Sequence, residues 1–108
     1  MKIALILSTI ALCGTLACTA HAEDAKKAES LAKSNGCMAC HTVDNKLVGP
    51  SYKDVAAKYR GNKDAEALLM KKVKDGGAGV WGQIPMPPHP GLSDADLKTL
   101  VDWVLSSK

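Results

Sequence analysis

Two thiols and an imidazole stand together at Cys37-Met38-Ala39-Cys40-His41. This C-x-x-C-H run is the pattern of a c-type haem attachment site. Two cysteines with two residues between them can each add sulfur across one vinyl group at a haem edge, forming two thioethers. The histidine that follows is carried beneath the iron, where a ring nitrogen can supply one axial ligand. The rival chemistries need partners that the chain lacks. A structural zinc site takes four ligands, and beyond the first 22 residues only His89 remains to join Cys37, Cys40 and His41. A thioredoxin-like dithiol goes with a βαβ pattern, and the chain shows no strand periodicity.

The second axial position decides what such an iron does. Left open, it binds gases or peroxide and the chain is a sensor or an enzyme. Closed by a side chain, it passes electrons. The candidates are Met38, Met70, Met86 and His89. Met38 lies inside the attachment motif and cannot cross the ring. Met70 follows Leu68 and Leu69 in a helical pattern and reads as core filler. His89 is the stronger ligand in isolation but reads as an exposed loop residue. Met86 lies in Ile84-Pro85-Met86-Pro87-Pro88. The flanking prolines fix φ and stiffen the segment, which lowers the entropy lost in holding a weak thioether on iron. Thioether ligation also raises the reduction potential.

The elements around these residues read as short helices. A positive Lys2, an apolar run from Ile3 and an Ala20-His21-Ala22 site make residues 1–22 a secretory signal peptide. A lipoprotein alternative with Cys18 as the lipidated residue fits less well, because Thr15 stands where a bulky aliphatic is expected. Cleavage after Ala22 leaves residues 23–108 as one domain, without Cys13 and Cys18, and assigns it to the periplasm. A domain of 86 residues with no Phe has little core of its own, and a buried porphyrin would supply one.

Of the 14 Lys and Arg and 11 Asp and Glu, only Lys2 falls in the leader, so the mature net charge is about +2. That mild balance, with no basic run carrying interleaved aromatics, excludes nucleic acid as the partner. No second apolar run is long enough to insert stably in a membrane.

A helix is expected over Glu23–Ser34 with Asp24 as its N-cap, and Asn35-Gly36 closes it. A second follows Ser51 and runs to about Arg60. A third spans Asp64–Lys74 with Asp64 as cap. The last opens at Ser93 and carries Leu97, Leu100, Val101 and Val104 at i, i+3, i+4, i+7. The first and last helices are the natural pair to cross, and Trp103 should be partly buried. Between the third and last helices, residues 76–91 hold five glycines and four of the five prolines, a composition that excludes regular structure. The G-x-G-x-x-G match at Gly77–Gly82 lies in this loop. It lacks the strand and helix of a dinucleotide site and is dismissed.

Taken together, Cys37-Met38-Ala39-Cys40-His41, Val48-Gly49-Pro50, Gly79-Val80-Trp81-Gly82-Gln83-Ile84-Pro85-Met86-Pro87-Pro88 and the closing helix resemble the short bacterial class I cytochromes c of the c-551/c-552 group. The resemblance covers essentially the whole mature chain. It implies an all-α class I cytochrome c fold, with four to five short helices around one haem c bound through Cys37 and Cys40. His41 and Met86 would be its axial ligands, 45 residues apart. It further implies that Pro50 offers its carbonyl to Nδ1–H of His41 and that Trp81 donates its indole N–H to a haem propionate.

The implied activity is single-electron transfer, not catalysis. The donor would be a quinol-oxidising cytochrome complex or another respiratory protein. The acceptor would be a terminal oxidase, nitrite reductase or peroxidase. Lys46, Lys53, Lys58, Lys63, Lys71, Lys72 and Lys74 are the pool from which partner-steering charges would come.

Overall fold

The computed structural model describes residues 17–108, with side chains from Ala22 onward. The expected leader therefore lies mostly outside the described residues, Cys13 included. Four α-helices follow in order: α1 (Ala17–Ser34), α2 (Tyr52–Lys58), α3 (Ala65–Asp75) and α4 (Asp94–Leu105). A single 3₁₀ turn over Cys37–Ala39 carries the cysteine motif. The only β-type pairings among the described residues are two isolated bridges.

α4 is the hub, for α1, α2 and α3 each pack against it. Its apolar face puts Leu97, Leu100 and Val101 at 5% exposure or less, and Leu97 is the largest fully buried side chain. α1 meets this face through Ala28 and Ala32, both at 0% exposure. Two alanines one turn apart let the backbones approach closely, so a narrow stripe of small residues suffices. Leu92 completes the core cluster, with Met38, Met70, Val73 and Trp103 packed against it from outside. Exposed ion pairs, Lys27 to Asp96 at 3.5 Å and Lys98 to Glu66 at 3.3 Å, link α1 and α3 to α4. In water such pairs add little; the register is set by the apolar seam.

The helix ends show where local chemistry governed. The Ser51 hydroxyl accepts from the Asp54 N–H and the Ser93 hydroxyl from the Asp96 N–H, both at 3.1 Å. These are N-caps that satisfy otherwise unpaired first-turn donors. Two expected caps differ. Asp64 has helical backbone angles and its side chain caps nothing. Its own N–H instead donates to Asn62 Oδ1 at 2.9 Å, so the entry to α3 is organised two residues earlier. Asp24 does not cap α1, because the helix begins ahead of it at Ala17. The segment Ala17–Ala22 is half alanine, the best helix former, and it continues the helix across the expected cleavage point.

Leu97→Ala should destabilise the holoprotein by about 2–5 kcal/mol, since it leaves a cavity at the hub. Leu68→Ala, at a side chain 48% exposed, should stay within about 0.5 kcal/mol. Denaturant unfolding of both variants checks the contrast, and equal losses would contradict it.

Candidate functional site

The segment after α1 folds back on itself. Gly36, with φ of 72°, turns the chain into the 3₁₀ turn that holds Cys37. The backbone then closes a tight loop: Gly49 N–H donates to Cys40 O at 2.7 Å, and Tyr52 N–H donates to Thr42 O at 2.9 Å. Thr42 and Asn45 bond each other within the loop. Outside it Lys53 pairs with Asp44.

The result is a fixed place for one imidazole. His41 Nδ1 lies 2.8 Å from the Pro50 carbonyl oxygen, which can only accept, so Nδ1 carries the proton. That leaves Nε2 with its lone pair free. The ring stacks on Tyr52 at 5.4 Å between centroids and 20° between planes. On the remaining side sits Gly49. A Cβ there would fall 2.5 Å from His41 Cε1, so only glycine permits this approach. Tyr52 in turn meets Trp103 of α4 edge-on at 5.4 Å, and its hydroxyl reaches Met38 Sδ at 3.8 Å. Burial, with Cys37 nearby, pushes the Tyr52 phenol far above its ordinary value. Burial likewise pushes the Cys37 thiol up, partly offset by a backbone hydrogen bond.

The opposite wall comes from the Gly/Pro loop. Gly77 and Met86 pair in both directions, Gly77 N–H to Met86 O at 3.0 Å and Met86 N–H to Gly77 O at 2.9 Å. Gly79 N–H donates to Gly82 O at 2.7 Å, making the segment a narrow hairpin. Gly76 is required at its base: its φ is 70°, and a Cβ would meet Met86 O at 2.5 Å.

Between the two walls lies a cavity of about 630 Å³, reached by Cys37, Cys40, His41, Pro50, Trp81 and Met86. All six residues singled out from sequence therefore converge on one space. Of the four candidates for the second axial position, Met86 and His89 line this cavity and Met38 and Met70 do not; those two pack against the core. His89, expected as an exposed loop residue, is half-buried instead. Its N–H is held by the Val73 and Lys74 carbonyls at 3.0 and 3.1 Å, which draws it in against the end of α3.

Trp81 belongs to the cavity rim, 43% exposed, with Lys58 Nζ 5.5 Å above its ring. Leu47, Val48, Val80 and Ile84, each half or more exposed, crowd the same cavity. Large apolar side chains facing a space beside two thiols and an oriented imidazole suit a flat apolar macrocycle. A metal cage does not fit, since no three His, Cys, Asp or Glu side chains among the described residues converge to hold an ion.

A helical shell with a C-x-x-C-H turn on one wall and an apolar slot across from it defines a class I haem c electron carrier. The protein-family model described as "Cytochrome c" matches residues 25–108, and the chain belongs to that family. Cytochrome c-551 of Pseudomonas aeruginosa is 52% identical over 108 residues, covering all of both chains. Cytochrome c-552 of Nitrosomonas europaea is 58% identical over 78 residues, 72% of this chain and 76% of that one. The crystal structure of wild-type Nitrosomonas europaea cytochrome c552 superposes with a TM-score of 0.70 at 56% identity, covering 74% of this chain and 99% of its own. The chain is thus a monohaem cytochrome c, with haem c carried on Cys37 and Cys40.

Gly49→Ala should cost about 1–3 kcal/mol, the usual penalty for overpacking, because the new methyl enters the His41 ring. Thermal unfolding and the imidazole Nδ1–H resonance report it. An unshifted resonance with unchanged stability would contradict the packing described.

Proposed function

We propose that the protein is a periplasmic electron shuttle whose iron is closed on both faces, by His41 Nε2 and by the Met86 thioether. The observation that carries this reading is the two-walled cavity. One wall presents an imidazole with its tautomer fixed by Pro50. The other presents Met86 from a backbone pinned at Gly77.

When bound, the haem supplies a single iron that moves between ferric and ferrous states by one electron. The chain supplies the constraints. Pro50, accepting from Nδ1–H, raises the basicity of His41 and fixes its ring. Pro85, Pro87 and Pro88 restrict the backbone on both sides of Met86, so the thioether stays in reach with little entropy to lose. A neutral sulfur ligand favours ferrous iron and sets a high potential. Trp81, at the rim, would donate its indole N–H to a propionate. With His41 and Met86 both bound, the iron would keep no open position for peroxide or gases, which favours a carrier over an enzyme.

The rim also bears the charge. Lys46 and Lys72 line the cavity and Lys58 lies over Trp81, and none of the three has a carboxylate partner among the described residues. In contrast Lys53, Lys71 and Lys74 are paired. Lys63 has no such partner either but does not line the cavity, so the three unpaired lysines at the rim are the ones proposed to steer acidic redox partners toward the haem edge. A quinol-oxidising complex as donor and a terminal oxidase, nitrite reductase or peroxidase as acceptor fit that surface. Export rests on the leader, with cleavage after Ala22. No helix among the described residues is long and apolar enough to cross a membrane.

Met86→Ala should lower the reduction potential, read by redox titration of the holoprotein; an unchanged potential would remove Met86 from the iron. Reversing charge at Lys46, Lys58 and Lys72 together should slow bimolecular electron transfer to an acidic partner about tenfold at low salt. The difference should vanish at high salt, and a slowing that persists there would point to damage at the haem instead.

A further inference from the structure

His89 is the one cavity-lining group with strong ligand chemistry that the proposed carrier does not use. Its imidazole is half-buried, lines the same cavity as Met86, and takes part in no side-chain hydrogen bond or ion pair among the described residues. No protein group among the described residues occupies its ring nitrogens, which stay open to solvent, so the imidazole is free to serve something in that cavity.

The geometry points to His89 as a reserve axial ligand: when the Met86 thioether is lost, the His89 imidazole takes its place on the iron and keeps the site six-coordinate. This rests on Met86 being the resident ligand.

The backbone permits the exchange. Met86 is held by its two bonds to Gly77, and His89 by its N–H on the Val73 and Lys74 carbonyls. Between them stand Pro87 and Pro88, which have no N–H to hold. The stretch is attached only at its two ends. Releasing the His89 N–H, together with the 3.3 Å bond that Leu92 N–H donates to His89 O, frees the far end to swing about Met86, with the exposed Pro90-Gly91 beyond it to absorb the turn. An extended proline segment rises about 3.1 Å per residue, so the two Cα atoms are about 9 Å apart, a span that an imidazole on a released loop can close. Besides His41, the other basic side chains at the cavity are Lys46 and Lys72. An ammonium has no lone pair for iron, so at neutral pH they do not compete.

Peroxide is the natural trigger. The Met86 sulfur takes one oxygen atom from hydrogen peroxide, two electrons pass from sulfur to the peroxide O–O bond, and water leaves. The sulfoxide is a poor match for the thioether position. An iron left open there would react with further peroxide. An imidazole that closes it stops this, at a lower potential.

Holoproteins carrying Met86→Ala, His89→Ala and both changes test the inference through ferric spin state, by optical and electron paramagnetic resonance spectra at neutral pH, and through azide titration. Met86→Ala should be low-spin with nitrogenous ligands on both faces, and the double variant high-spin. The double variant should bind azide at least about tenfold more tightly, because no internal ligand competes. His89→Ala alone should match the wild type.

Identical spectra and azide affinities for Met86→Ala and the double variant would overturn the reserve role while leaving Met86 as ligand. A Met86→Ala spectrum identical to wild type would instead overturn Met86, and the reserve role with it. A second arm needs no Met86 variant. Wild type and His89→Ala are treated with peroxide until peptide mass spectrometry shows Met86 sulfoxide. Low-spin oxidised wild type beside high-spin oxidised His89→Ala supports the inference, and equal spin states overturn it.

Discussion

The structure depends on how tightly one imidazole is held. His41 is bounded by a carbonyl at its Nδ1, a phenol ring on one face and a glycine on another side, and the glycine leaves no room for a larger residue. The constraint reaches outward. Tyr52, which stacks on His41, is the first residue of α2 and is itself buried against Trp103 of α4. The haem-side geometry is thus anchored to the helix on which all the others pack. A disturbance at the hub should be felt at the ring, and the reverse.

The opposite wall follows a different logic. Met86 sits in a segment without regular structure, fixed by two backbone hydrogen bonds at a glycine and by prolines that remove conformational choice. One side of the cavity is held by packing and the other by backbone restriction. For the proposed His41/Met86 ligation this division makes sense: the strong ligand would need orientation, whereas the weak one would need confinement. It also explains why the most composition-biased part of the chain is functional, since a loop this long in so small a domain is seldom idle.

The sequence was most legible where local chemistry decides the outcome. Ser51 and Ser93 cap their helices, Gly36 and Gly76 end theirs with positive φ, and the i, i+3, i+4 pattern of Leu97, Leu100 and Val101 is the buried face. The pairing of α1 with α4 followed from the same apolar pattern. It was least legible where a residue's role depends on what lies across space. Asp64 looks like a cap, but Asn62 reaches the relevant N–H first. Asp24 looks like a helix start, but the alanines before it extend the helix. His89 reads as loop surface because nothing local says that its N–H is pulled in by α3. The close approach of Gly49 to His41 has no sequence signal beyond the glycine itself; only the ring beside it reveals why it is needed. That Lys46, Lys58 and Lys72 stand unpaired around the cavity rim is likewise a property of the fold.

The central claim is that the iron is closed on both faces, by an imidazole and a thioether. The optical spectrum of the ferric holoprotein, followed by exposure of the ferrous form to carbon monoxide at neutral pH, tests it most directly. The account predicts a low-spin spectrum with a thioether-to-iron band toward the red end of the visible, and no rapid carbon monoxide adduct. A high-spin ferric spectrum without that band, or prompt carbon monoxide binding, would contradict it.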